Sequence, residues 1–189
     1  MMRKTLILAL AAGFLFLGAC SKTYMEGNMD VADGDYQTAI AKYEQTLAQN
    51  PNYDLGWLKL GYAYFKTGDY GKAITSFNRA LSLRDDLPDA LFFRALSYIG
   101  AGQTQKGFEL LAGYHDQFIG MADYIKEQAS ELQGQDLPPE QIIAAMEKAR
   151  DDGYCMERED QADYSGPIQG ISRPLQIPLT DQATCAGMP

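Results

Sequence analysis

The stretch DLGWLKLGYAYFKTGDYGKAITSFNRAL, residues 54–81, decides the fold. Trp57, Leu60 and Tyr64 stand at i, i+3 and i+7, so a helix places them on one face. Gly61 lies within that helix and has no side chain, which lets a second helix come close. Gly68-Asp69 breaks the chain. Beyond the break, Ala73 is the matching small residue, and Phe77 and Ala80 carry the apolar stripe onward. Upstream, Asn50-Pro51 ends one helix and opens the next. The stretch therefore predicts two helices folded into a hairpin, with Trp57 in its own core.

The same spacing recurs along the chain. Thirty-four residues after Trp57, Leu60, Gly61, Tyr64, Gly68, Ala73, Phe77 and Ala80 stand Leu91, Arg94, Ala95, Tyr98, Gly102, Gly107, Leu111 and Tyr114. Thirty-four residues before them, Gly27, Gly34, Ala39, Tyr43 and Thr46 keep the small and aromatic phases, while Thr23, Glu26 and Asp30 replace the large ones. The turns agree as well: Gly34-Asp35-Tyr36, Gly68-Asp69-Tyr70, Gly102-Gln103-Thr104. Such self-similarity is the mark of a stacked array, in which each unit buries its apolar face against the next.

With W-x2-L-G-x2-Y followed by A-x3-F-x2-A, residues 54–87 resemble the tetratricopeptide repeat; 20–53 and 88–121 resemble it with departures. The resemblance implies an all-α, right-handed α-solenoid of about three hairpins. Helices are expected at 22–32, 36–48, 53–67, 70–83, 87–101 and 104–116. FIGMADYIKEQASELQ and PPEQIIAAMEKARDD read as two more, forming an irregular hairpin over 122–152 that caps the stack. From Gly153 the sequence holds Pro167, Pro174, Pro178 and Pro189, and an extended tail is expected over 153–189.

The resemblance also places a functional surface. The first helix of each repeat lines a concave groove, and Leu55, Leu58, Tyr62, Phe65 and Lys66 match the groove phases. The next repeat supplies Phe92, Leu96 and Ile99; the first supplies Tyr24, Asn28 and Val31. An open apolar surface of that extent marks a binding site. Three readings stand: packing between neighbouring helices, a groove for a segment of another protein, and a groove filled by the chain's own tail, residues 167–179, PIQGISRPLQIPL. Members of the family that clamp a peptide carboxylate use basic residues where Asp89 and Phe93 stand here, so that recognition is not expected.

The N-terminus reads MMRKTLILALAAGFLFLGAC. Two basic residues precede an apolar run of signal-peptide length. Leu17-Gly18-Ala19-Cys20 resembles the lipobox of bacterial lipoproteins, which implies export, cleavage after residue 19 and lipid attachment at Cys20. By the same resemblance, Ser21 in place of Asp implies the outer membrane, with the protein facing the periplasm. Loss of Arg3 and Lys4 leaves the rest more acidic than the formal −9 of the whole chain. Charge of that sign speaks against nucleic acid and against electrostatic adhesion to an anionic bilayer. Of the three cysteines, Cys155 and Cys185 remain. In an oxidising compartment an even remainder reads as one disulfide, contributing roughly 3–4 kcal/mol by loop closure; the competing reading is two free thiols.

No catalytic, metal or cofactor signature stands out. There is one histidine, His115, without zinc-site or triad spacing around it. Gly100-Ala101-Gly102 is an inter-helix turn with no Lys-Ser or Lys-Thr behind it. The acidic run from Asp151 to Asp160 lacks the ligand-and-Gly alternation of a calcium loop. The expectation is a non-catalytic docking scaffold for another envelope protein. The alternatives are a structural subunit of a larger envelope complex and an envelope enzyme with its site in the irregular C-terminal third.

Overall fold

The computed structural model describes residues 22–116 and 119–162, all helix and short connection. The lipobox with Cys20, the tail segment 167–179 and Cys185 lie outside the described residues. The elements in order are α1 (22–32), α2 (Tyr36–Gln49), α3 (Asp54–Lys66), α4 (Tyr70–Leu83), α5 (Pro88–Gly100), α6 (Thr104–Ala112), α7 (Ile119–Gln133) and α8 (Pro139–Ala162).

The repeat is written in the backbone of its turns. Gly34, Gly68 and Gly102 all have positive φ, at 77°, 78° and 77°. Only a residue without Cβ takes that conformation freely. Each glycine donates its N–H to the carbonyl three residues back, and the next residue donates to the carbonyl five back: Gly68 to Phe65 at 3.0 Å, Asp69 to Tyr64 at 2.9 Å. These two bonds satisfy carbonyls the helix end leaves open. Asp35 and Asp69 then start the following helix by accepting the N–H of Thr38 at 3.1 Å and of Lys72 at 3.3 Å. Gly-Asp thus ends one helix and begins the next.

The hairpins close where the small residues stand. A Cβ built on Gly61 would lie 2.7 Å from Phe77 Cε1, and one on Gly107 would lie 2.3 Å from Ile99 Cγ1. Both are far inside van der Waals contact, so in each hairpin the partner helix occupies the space a side chain would need. The aromatic after each Gly-Asp turn reaches the following repeat. Tyr36 meets Tyr62 edge-on at 6.2 Å, and Tyr70 covers Gly100. One continuous core results, from Val31 in α1 to Ala149 in α8.

Two expectations are corrected. The chain past Gly153 is helical through Ala162, not extended from residue 153. Gly153 itself packs inside the α7–α8 hairpin, where a Cβ would lie 3.2 Å from Tyr124 Cδ1; a glycine that fits a helix–helix contact does not stop the helix. Trp57 is only partly buried, with its indole N–H donating to the Pro51 carbonyl at 2.9 Å. It lines an open cleft of about 420 Å³ with Leu47, Leu60 and Tyr64 rather than filling the hairpin core.

Gly61→Ala is expected to lower stability by about 1–3 kcal/mol through overpacking against Phe77. Gly71→Ala, in α4 with nothing within 4 Å of the new methyl, is expected to leave stability unchanged or raised. Urea denaturation of the two variants compares them directly, and equal midpoints would refute the close-approach account of Gly61.

The concave face and its occupant

The expected open groove is not open. Leu58, Tyr62, Phe65, Phe92, Leu96 and Ile99 are each 4% exposed or less; Leu55 is half-buried and Lys66 keeps a quarter of its side chain in solvent. The reasons differ along the surface. Ile99 turns into its own hairpin against Gly107. Phe92 packs on Tyr114, ring centroids 6.1 Å apart. Tyr62 and Phe65 both pack on Phe93, at 5.0 and 5.3 Å, and join α3 to α5. Of the first repeat's residues, Val31 is buried in the core, Tyr24 packs against Tyr43 and Tyr53, and Asn28 accepts the Tyr43 hydroxyl at 2.8 Å.

What lies over α3 and α5 is α8. It grips them through charge. Arg150, with only 2% of its side chain exposed, donates from Nη2 to Asp89 Oδ1 at 2.9 Å and from Nε to the same oxygen at 3.2 Å. Its guanidinium also sits 5.2 Å from the centroid of Phe93, close enough for cation–π attraction. One helical turn earlier, Glu147 accepts from Lys66 Nζ at 3.2 Å. Asp151 stands beside Arg150 at 3.4 Å from its Nη1. The apolar side chains Ile142, Met146 and Ala149 join the core on the same stretch of α8.

Burial shapes the charges here. It pushes the Glu147 carboxyl above the usual carboxylate range, against the pull of Lys66. It pushes Lys59 down to about 8, with Asp89 opposing that shift and Arg150 adding to it. Burial opposes the Arg150 charge too, but Asp89 and Asp151 outweigh it and hold its pKa above the ordinary value. The concave face is therefore neither a bare apolar trough nor a basic clamp. It offers Lys66 at one grip and Asp89 at the other, with an aromatic floor between them.

Residues 24–90 match the family model described as tetratricopeptide repeat. Residues 24–90 carry the tetratricopeptide repeat. A curated relative, tetratricopeptide repeat protein 28 of Mus musculus, is 35% identical over 102 residues, covering 47% of this chain and 4% of that much longer protein. The chain thus spans only a small fraction of the relative it matches. Among solved structures, a CopN-Scc3 complex superposes with a TM-score of 0.53 at 22% identity, over 60% of this chain and 68% of that one. The Sgt2 tetratricopeptide domain from Aspergillus fumigatus superposes at 0.48 and 18% identity, over 82% and 89%. The likeness to the CopN-Scc3 complex speaks for the fold alone.

Against this tetratricopeptide frame, Asp89, Phe93, Glu147 and Arg150 were not singled out as site residues from sequence. A signal did exist. Asp89 and Phe93 depart from the carboxylate-clamp pattern, and Arg150 interrupts the stripe of Ile142, Met146 and Ala149 with a charge. Cys155 is 1% exposed. Among the described residues, no cluster of three or more His, Cys, Asp or Glu could hold a metal ion, and no helix is long and apolar enough to cross a membrane.

Arg150→Met is expected to destabilise by about 3 kcal/mol, since Asp89 is left largely buried without its main cation. Adding Asp89→Asn should recover part of that loss, because the Asp89 carboxylate is then no longer stranded, while Asp151 still lacks the guanidinium beside it. Chemical denaturation of the wild type, both single variants and the double variant gives the coupling. Simple additivity would show that the pair does not act as a unit.

Proposed function

We propose that this protein is an exported lipoprotein, anchored through Cys20 at the outer membrane and facing the periplasm, which acts as a non-catalytic docking scaffold in envelope assembly. The observation that carries the docking part is the concave face itself. Tetratricopeptide hairpins present an aromatic floor flanked by Lys66 and Asp89, and that floor already holds a helix. A surface that recognises a helix by shape and by two opposite charges is a protein-binding surface. Leu17-Gly18-Ala19-Cys20 supports the anchor, and the acidic balance of the chain leaves acyl chains as the means of membrane attachment. Cys185 is the proposed partner of Cys155, holding the chain after α8 close to the stack.

Cys20→Ala is expected to move the protein from the membrane fraction to the soluble periplasmic fraction; retention in the outer membrane would overturn the anchor. Docking is tested by crosslinking the mature protein in intact envelopes and mapping the linked peptides by mass spectrometry. A linked envelope protein whose yield falls with Lys66→Glu supports the scaffold, and linkage to none overturns it. Non-reducing peptide mapping of the same material is expected to recover Cys155 joined to Cys185, and free thiols at both would overturn that pairing.

A further inference from the structure

The helix on the concave face is held in an unusual way for a permanent core element. Beside the apolar stripe that joins the core, its two polar grips on the repeats are ion pairs, Glu147 with Lys66 and Arg150 with Asp89, one turn apart. Paired charges withdrawn from water contribute little net stability beside an apolar contact of the same size, but they discriminate strongly among occupants. Glu147 is held with its carboxyl raised by burial, so that grip is formed against a desolvation cost. The connection 134–138 between α7 and α8 runs over the surface, with Gly134, Gln135 and Asp136 exposed. Most of α8's packing is to α7, and the hairpin they form is closed at its far end by Gly153 against Tyr124.

We propose that the concave face is a receptor for an amphipathic helix carrying Glu-x-x-Arg beside an apolar stripe, and that α8 is the chain's own copy of that ligand, occupying the site until a partner helix of the same chemistry takes it. The inference rests on the docking reading and specifies its ligand. Asp89 selects the arginine, Lys66 selects the glutamate, and Phe93 supplies the face on which the guanidinium lies. The spacing of three residues is set by the receptor: only a helix brings both charges to one face at that interval. A second copy of this chain is the less favoured occupant. Exchange of α8 between copies would break the α7–α8 hairpin as well as the groove contacts. An outside helix replaces the groove contacts while α7 and α8 move away together, which keeps the α7–α8 hairpin and gives up the smaller α6–α7 contact.

The probe is a fluorescent peptide copying residues 139–155, PEQIIAAMEKARDDGYC, with Cys155→Ser, titrated into the full mature chain. Arg150→Glu in the chain sets α8 against Asp89 and is expected to bind the peptide at least tenfold more tightly than the unsubstituted chain, whose α8 competes. The same peptide carrying Arg150→Glu should lose at least tenfold on that receptor. It should instead be preferred by a chain with Asp89→Arg. The chain with both Asp89→Arg and Arg150→Glu restores the pair internally, and it should fold and exclude either peptide.

Four results overturn the proposal: no binding to the folded loosened chains; binding indifferent to the charges at positions 147 and 150; unfolding of both single variants, which makes α8 a core element; or dimers of the loosened chains by light scattering, which makes the occupant a second copy. Peptide binding with no linked protein in envelopes would leave this groove chemistry standing and remove the scaffold reading. A partner linked at another surface, with no peptide binding, would do the reverse.

Discussion

A phenyl ring fills the space that a side chain at Gly61 would occupy. That contact sets how near α4 lies to α3, and Gly107 against Ile99 does the same for α6 and α5. Once the helices of a hairpin are that close, their other faces must be covered by the neighbouring hairpin. The stack follows because each unit is left with apolar surface it cannot bury alone. The turn glycines at 34, 68 and 102 give each hairpin the same exit geometry, so the repeats add in register. The forward-reaching Tyr36 and Tyr70 tie each unit to the next.

The stack by itself leaves the inner ends of α3 and α5 to be covered. The chain does this with a helix whose contact surface is partly ionic. The guanidinium of Arg150 lies between the Asp89 carboxylate and the Phe93 ring, which satisfies a deeply buried cation in two ways at once. Breaking such a pair is costly and forming it gains little, so its main effect is to fix which helix fits and in what register. Geometry of this kind favours recognition over raw stability. A repeat array whose fold is made elsewhere, by glycine and aromatic contacts, can accommodate it.

Much of the architecture was legible in the chain because the repeat is periodic. Helix existence followed from i, i+3, i+7 spacing, and the turns followed from Gly-Asp, whose two residues each satisfy a different helix end. The groove was only half legible. Leu58, Tyr62, Phe65, Phe92, Leu96 and Ile99 do stand on first helices of repeats, yet spacing assigns a residue to a face and says nothing of what covers it. Phe92 and Ile99 turned inward within their own hairpin and its continuation. Tyr62 and Phe65 met Phe93, a residue noticed in sequence only for failing to be basic. Trp57, the most conspicuous side chain in the opening stretch, proved less buried than the tyrosine five residues on.

By itself the sequence determined the period, the hairpins and their turns, because these depend on contacts within about 34 residues and on conformations that only glycine or a capping aspartate supplies readily. The destination of α8 was decided only in the tertiary structure. Its partners are 61 and 81 residues away, a separation at which no local pattern links Arg150 to Asp89 or Glu147 to Lys66. A lone arginine on an apolar stripe is ambiguous until a carboxylate and an aromatic face are brought to it in space. The same holds for Gly153, which reads as a helix stop in the chain and becomes, once α7 lies beside it, the point where two helices touch.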